Sequence, residues 1–157
     1  MNDVDFMRLA LEQAQLAAEI GEIPIGAVLV YQQQVIAANF NRTISACDPS
    51  AHSEILVLRE GAQRIKNYRL TEMALYVTVE PCVMCVGALI HARIEKLVFG
   101  AYNARGGACG SSFDLTRHAQ LNHHINEVKG GVLAAECQLL LQQFFQKRRS
   151  RLGAEDA

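Results

Sequence analysis

The sequence predicts an α/β domain in which helices pack in layers against a sheet. Three observations support this prediction. Segments with helical and strand patterns follow one another in the order helix, two strands, helix, strand, helix, strand, helix. The length of 157 residues suits one domain, and 50% of the residues are hydrophobic, which suffices for a core without disulfide bonds. No repeat, low-complexity tract or linker interrupts the chain, so we expect residues 1–157 to form a single domain.

The first forty residues predict a helix followed by two strands. Apolar residues recur at helical spacing from Phe6 to Ala17, and Gly21 is a suitable residue to end that helix. Residues 25–31 form an apolar run typical of a buried strand, and residues 35–38 predict a returning strand. The polar turn at 32–34 lacks the Asn-Gly pair of a tight hairpin, so its geometry stays open.

The middle of the chain predicts two helices and two further strands. Residues 48–50 form a helix-start cluster, and the apolar face that follows contains Ile55, Leu58, Ala62 and Ile65. Residues 75–79 are rich in β-formers and predict a central strand, and residues 97–100 predict another. Between them, Pro81 suits a helix start, and residues 82–91 are apolar on nearly every side, so we expect a buried helix.

The last third of the chain predicts a long loop and a final helix. Residues 101–126 are rich in glycine, histidine and polar groups, and so long a loop in a compact domain is usually functional or disordered. A helix is predicted after Gly130 and Gly131. Its basic end contains Lys147, Arg148, Arg149 and Arg151. The helix has an apolar stripe made of Leu133, Cys137, Leu140, Leu141, Phe144 and Phe145.

Charge and cysteine content exclude some classes of protein and leave others open. A net charge of −1 and a pI of about 6.5 neither indicate nor exclude nucleic-acid binding, because a local basic patch is sufficient. An odd number of cysteines, five, without a signal peptide argues against a secreted disulfide framework. No stretch has the ~18 apolar residues of a membrane span. We therefore expect a soluble cytoplasmic protein with no membrane partner.

Two short segments contain the residue types of a hydrolytic metal site. His52-Ser53-Glu54 lies near one predicted helix start, and Pro81-Cys82-Val83-Met84-Cys85 follows the strand at 75–79. Helical spacing places Cys82 and Cys85 on one face, in a first turn where the helix dipole favours thiolates. A thiolate is the form of cysteine that binds zinc, and His52 offers an imidazole.

The number of ligands points to catalysis. A structural zinc site normally has four protein ligands, whereas a catalytic site keeps one position for water. The sequence supplies three ligands with good spacing: His52, Cys82 and Cys85. Glu54 lies on a different face of its helix from His52, which suits a carboxylate beside that water better than a fourth ligand.

Each motif alone would be weak, and other interpretations stay open. A lone Cys-x-x-Cys is equally a redox pair or half of a zinc knuckle. A structural site could instead recruit Cys47 or Cys109 as a fourth ligand. Otherwise we expect Cys47, Cys109 and Cys137 to behave as small hydrophobic residues.

The combination of His-x-Glu with Pro-Cys-x-x-Cys resembles the motif of zinc-dependent deaminases. The similarity to bacterial tRNA-specific adenosine deaminases extends along the chain, through residues 22–30, 41–42, 48–52, 75–85, 90–94 and 144–145. This resemblance implies the cytidine deaminase-like three-layer fold, with a five-stranded mixed sheet flanked by helices. It also implies a homodimer that forms inosine at the wobble position of a transfer RNA anticodon stem-loop.

The resemblance assigns roles to individual residues. His52, Cys82 and Cys85 match the ligands of one Zn²⁺ per subunit, Glu54 matches the catalytic acid–base, and Asn41 matches a residue that contacts the flipped nucleoside. Two positions differ from the family pattern: Ser53 replaces a usual alanine, and Asn103 replaces a frequent acidic residue. Glu80, just before the ligand segment, is interpreted as structural.

Two rival functions remain at this point. The zinc motif also fits a deaminase of a free base or nucleoside, such as guanine or cytosine. A zinc-stabilised RNA-binding module without turnover would instead need a closed four-ligand site. The loop at 101–126 and the basic end of the last helix favour RNA as the substrate.

Overall fold

A computed structural model describes residues 1–155 and shows a sheet flanked by helices. The helices are α1 (Asp3–Glu19), α2 (Ser53–Ile65), α3 (Val83–His91) and α4 (Ala134–Glu155). The strands are β1 (Gly26–Tyr31), β2 (Gln34–Phe40), β3 (Ala74–Val79), β4 (Lys96–Ala101) and β5 (Glu127–Lys129). None of the described helices is both long enough and apolar enough to cross a membrane.

The sheet has five strands in the order β2-β1-β3-β4-β5. β1 is antiparallel to both β2 and β3, whereas β3, β4 and β5 run parallel. The sheet is therefore mixed, and the predicted α/β fold with a five-stranded mixed sheet is confirmed. Because β3 and β4 are parallel, their carboxyl ends meet at one edge, where Val79 pairs with Ala101.

Two hydrophobic cores lie on opposite faces of the sheet. On one face, Leu29 and Leu75 pack with residues of α2 and α3 such as Val57 and Leu89. On the other face, alternate strand residues such as Val28 pack with α1 and α4. The period of two along each strand separates the two sets and produces three layers.

The turn between β1 and β2 is tight although it lacks glycine and asparagine. Gln32 and Gln33 both have positive φ angles, of 50° and 64°, so both adopt the left-handed conformation. Two left-handed central residues are typical of a type I′ hairpin turn, whose twist matches that of the strands. The sequence of this polar turn did not determine that geometry.

One carboxylate connects α1 to three strands of the sheet. Asp3, in the first turn of α1, accepts hydrogen bonds of 2.8 Å from Tyr76 of β3 and of 2.8 Å from Lys96 of β4. Lys129 of β5 lies 3.3 Å from its other oxygen. Partial burial acts to raise the pKa of Asp3, but the bonds from Lys96 and Tyr76 outweigh it and leave that pKa below its ordinary value.

Two predictions about helix starts and burial were wrong in detail. Residues 48–50 form a turn and not the first turn of α2, because Asp48 accepts hydrogen bonds from the backbone and hydroxyl of Ser50. The helix at 82–91 is buried along one side only. Cys85 and Val86 are buried, but Val83 and Met84 are exposed, since the first turn of α3 packs against the sheet layer on one side only.

The apolar stripe of α4 is also less buried than its periodicity predicts. Cys137 lies in the core beside Gly100, where a side chain on Gly100 would overlap its sulfur. Further along α4, Phe144 is half-buried and Phe145 is exposed. Contacts of α4 are with α1, β3 and β4. A surface cavity between the end of α1 and the later turns of α4 leaves part of the stripe uncovered.

Candidate active site and metal centre

The starts of two helices bring His52, Cys82 and Cys85 together. His52 is the N-cap residue of α2, Cys82 is the N-cap residue of α3, and Cys85 lies one turn into α3. The His52 Nδ1 atom is 3.4 Å from the Cys85 sulfur and 3.7 Å from the Cys82 sulfur. All three candidate ligand atoms lie within 4.8 Å of one another.

These donor atoms fit a metal ion of the zinc type. An imidazole nitrogen and two cysteine sulfurs are the ligand types that zinc prefers. Among the described residues, the cluster able to hold a metal consists of these three, and Cys47 and Cys109 do not belong to it. Cys137 is buried and Cys109 is half-buried, as small hydrophobic residues would be, whereas Cys47 is exposed, contrary to that prediction.

The three side chains interact electrostatically. A hydrogen bond from the Cys85 thiol, with a further contribution from His52, lowers the pKa of Cys82 to about 4. The same hydrogen bond, together with burial, raises the pKa of Cys85. The contact with Cys82 raises the pKa of His52 although burial opposes it. Cys82 is thus held as a thiolate, the form that binds metals.

Glu54 lies beside this cluster, in a cavity of about 60 Å³ that is also lined by His52 and Cys82. Its side chain is only 4% exposed, and burial raises its pKa. The Ser53 hydroxyl donates a 2.8 Å hydrogen bond to its carboxylate. Ser53, noted in the sequence only as a departure from the family pattern, therefore contacts the candidate acid–base directly.

Asn41 also lines the cavity and is buried. Its side-chain oxygen accepts a 2.8 Å hydrogen bond from the backbone N–H of Ser53, and so caps α2 in place of His52. The Nδ2 group is then the part of Asn41 available to donate to a ligand. The remaining walls are Ile25, Val79, Glu80 and Asn103.

The segment from 101 to 126 is folded and partly buried. Ala108, Thr116 and Ile125 are buried, and backbone bridges pair Cys82 with Gly107 and Cys109 with Asp114. Its basic residues fall into two groups. His123 and His124 contact backbone carbonyl oxygens at 2.9 and 3.0 Å, respectively. Arg105, Arg117 and His118 are exposed.

Sequence reasoning missed one buried carboxylate near the site and underestimated another. Glu22 is buried and accepts hydrogen bonds from the backbone N–H groups of Ile44 and Ser45, in the segment that follows Asn41. Glu80 is buried within the cavity wall and anchors a loop, which agrees with its structural interpretation. The signal for both is a glutamate inside an otherwise apolar stretch beside a strand.

Comparisons with known proteins show the family to which this chain belongs. Residues 1–149 match the family model of the MafB19-like deaminases. The chain is 50% identical to a tRNA-specific adenosine deaminase of Haemophilus influenzae over 156 residues, which covers 99% of this chain and 90% of the relative.

Two solved structures bear on the choice of substrate. One comes from a study of A-to-I editing by tRNA deaminases at the wobble position, with a TM-score of 0.84, 42% identity, and coverage of 87% of this chain and 99% of that one. The other is guanine deaminase from Bacillus subtilis, with a TM-score of 0.64, 33% identity, and coverage of 73% and 72%, respectively. The similarity is both higher and more complete for the tRNA enzyme, and this chain belongs to the family of tRNA-specific adenosine deaminases.

Proposed function

We propose that this enzyme converts adenosine to inosine at the wobble position of a transfer RNA anticodon, and that Glu54 moves the protons. The observation that supports this most strongly is one small cavity that holds Glu54, Asn41 and two members of the metal-binding cluster. Near full-length similarity to a tRNA-specific adenosine deaminase supports the choice of substrate.

We propose His52, Cys82 and Cys85 as ligands of one Zn²⁺ per chain. The imidazole and the two sulfurs provide the donor types and the close spacing that this ion needs. When bound, the ion supplies Lewis acidity, which brings the pKa of a coordinated water down toward about 7. Cys47 and Cys109 take no part in this site.

The proton transfers are assigned to Glu54. Its carboxylate accepts a proton from the attacking water and delivers it to the ring N1 of adenine, while the water oxygen bonds to C6. Glu54 then takes the second proton from that oxygen and delivers it to the amino group, and the C6–N bond breaks to release ammonia. Overall, adenosine and water give inosine and ammonia. The Ser53 hydroxyl, 2.8 Å from the Glu54 carboxylate, holds that side chain in place for both transfers.

Asn41 is assigned to the nucleoside. Because its side-chain oxygen is already bonded to Ser53, it recognises the ligand through its Nδ2 donor. The adenosine must leave its stack to enter so small a cavity, and bases in an anticodon loop are already partly unstacked. This favours a stem-loop over a duplex.

Three further properties belong to the proposal. Residues 1–157 form one deaminase domain, as the family match over residues 1–149 supports. The enzyme is a homodimer, since Val83 and Met84 at the start of α3 leave apolar surface exposed. We propose a cytoplasmic location, as for an enzyme similar to bacterial tRNA-specific adenosine deaminases.

A substrate comparison tests the proposal. Turnover is measured on an anticodon stem-loop with adenosine at the wobble position, on the same RNA with cytidine there, and on free adenosine, cytidine and guanine. We expect inosine formation on the first RNA far above every other reaction. Preferred release of ammonia from guanine would instead support a free-base deaminase, the function of the Bacillus subtilis structural relative.

A further inference from the structure

We propose that Glu80 is a positioning residue, whose buried carboxylate holds residues 103–111 as the RNA-binding wall of the cavity. The proposal rests on the proposed function, since it assigns this wall to the RNA substrate. It concerns a residue that does not belong to the metal-binding cluster.

The carboxylate of Glu80 accepts four hydrogen bonds from this one loop, and its side chain is only 2% exposed. One oxygen accepts from the backbone N–H of Asn103 at 3.2 Å and from the hydroxyl of Ser111. The other oxygen accepts from the backbone N–H groups of Cys109 at 3.0 Å and Ser111 at 3.2 Å. Both oxygens are therefore fully engaged with the loop and have no free position for a ligand.

The loop and the carboxylate depend on each other. Among the ion pairs of residues 1–155, none includes Glu80. Its charge is compensated by the four loop donors alone. A buried carboxylate that loses its partners is strongly unfavourable. Displacement of the loop is costly for this reason, and the wall is held in one conformation.

The backbone fastens the same loop to the metal-binding segment. The N–H of Ala108 donates a 2.9 Å hydrogen bond to the carbonyl of Pro81, and Gly107 pairs with Cys82. A side chain on Gly107 would overlap the carboxylate of Glu80 and the carbonyl oxygen of Asn103. The missing side chain at Gly107 therefore leaves room for the Glu80 carboxylate. The pairing with Cys82 fixes the position of the wall relative to this proposed ligand.

The wall presents groups suited to an unpaired RNA segment. Asn103 lines the cavity itself. Tyr102 and Phe113, at the two ends of the held segment, are 63% and 54% exposed, respectively. Exposed aromatic rings stack on unpaired bases. Glu54 lies on α2, outside this loop, so a displaced wall weakens capture of the RNA more than it slows proton transfer.

Two substitutions disturb the wall without replacing a metal ligand. Glu80→Gln is nearly isosteric, but each carboxylate oxygen faces at least one backbone N–H, so the amide nitrogen meets a fixed donor in either orientation. Gly107→Ala places a methyl group against the Glu80 carboxylate. It is the second variant to test if Glu80→Gln fails to fold. Glu12→Gln, at an exposed position of α1, is the matched control.

The test combines steady-state kinetics with amide hydrogen exchange. On the stem-loop with a wobble adenosine, we expect KM to rise on the order of tenfold or more in both wall variants. We expect kcat per zinc-loaded chain to stay within about threefold, with zinc content unchanged. Exchange at the amides of Asn103, Cys109 and Ser111 is expected to accelerate in both variants, and Glu12→Gln is expected to behave as the wild type.

The outcomes separate the two proposals. Faster exchange with an unchanged KM would show that the wall is structural only, and unchanged exchange would show that Glu80 does not hold it. Either result overturns the inference. A wild-type protein that forms no inosine on this RNA overturns the proposed function instead, and the exchange comparison then still decides whether Glu80 holds the loop.

Discussion

At the scale of single residues, His52 and Cys82 both occupy helix N-caps, and neither side chain forms a capping hydrogen bond. Asn41 supplies the cap of α2 instead, through its contact with Ser53. Both candidate ligands are consequently free to bind something other than their own backbone. Asn41 therefore caps the start of α2, and the His52 imidazole remains free to bind a metal ion.

Removal of either sulfur ligand should abolish metal binding and activity together. Cys82→Ala or Cys85→Ala leaves only one sulfur and one imidazole, too few to hold zinc tightly. Metal analysis of the purified variants is expected to show far less than one zinc per chain, with inosine formation lost in parallel. Cys47→Ala, an exposed thiol outside the cluster, is the control and should keep both. Full zinc content in both ligand variants would contradict the assignment.

At the scale of elements, long periodic segments could be predicted from sequence, and short or irregular ones could not. α1, β1, β3 and β4 were predicted within a few residues because burial on one or both faces leaves a clear pattern. β5 has only three residues, so it has no detectable period and came only from the family resemblance. The start of α2 was misplaced because Asp48 and Ser50 form a turn that resembles a helix cap.

The hydrogen bonds of Asp3 should make the attachment of α1 depend on pH. Asp3→Asn removes the charge that Tyr76, Lys96 and Lys129 contact, and we expect a loss of about 1–3 kcal/mol in unfolding free energy at pH 7. Because the pKa of Asp3 is lowered on folding, its contribution is present above about pH 4 and disappears as the pH falls through the folded value.

Denaturant unfolding of both proteins at several pH values measures this difference. The gap between wild type and Asp3→Asn should be widest near neutrality and close in acid. Glu60→Gln, an exposed carboxylate on α2, should show almost no gap at any pH. A gap of equal size at pH 3 and pH 7 would mean that the Asp3 charge is not the cause.

At the scale of the whole molecule, the composition is close to neutral, so binding to RNA depends on local charge. The sequence predicted the three residues that cluster, because the two motifs have distinctive spacing. The catalytic role predicted for Glu54 stays a prediction. Apart from Asn41, which the family resemblance supplied, the sequence did not show which residues form the walls of the cavity. Glu80 and Asn103 are brought together by the parallel pairing of β3 and β4, a long-range contact that no local pattern records.

RNA binding should weaken with salt in proportion to the number of phosphate contacts. For single-stranded RNA the log–log slope is about −0.7 per contact. If Lys147 and Arg148 in the later turns of α4 contact phosphates, each alanine variant should flatten the slope by about 0.7 and leave zinc content unchanged. Arg64, whose guanidinium donates to the carbonyl of Ile36, is the control. Binding to the stem-loop that does not respond to salt would contradict this picture.

Assembly can be tested separately from chemistry. We expect a homodimer at micromolar concentration, because α3 begins with the exposed apolar residues Val83 and Met84. Light scattering coupled to gel filtration should report twice the 17.3 kDa chain mass. Val83→Ser combined with Met84→Ser is expected to shift the equilibrium toward monomer. A wild-type protein that is entirely monomeric would argue against the homodimer.

The most direct test of the proposed proton-transfer role is the activity of Glu54→Ala measured per bound zinc. Glu54 lies in the cavity beside the cluster but outside its ligand set, so the variant should fold and keep one zinc per chain. General acid–base groups contribute about 10²–10⁴-fold, and we expect inosine formation on the wobble-adenosine stem-loop to fall by at least that factor. Near-normal turnover in the zinc-loaded variant would contradict the proton-transfer role, and loss of zinc would show that Glu54 supports the metal instead.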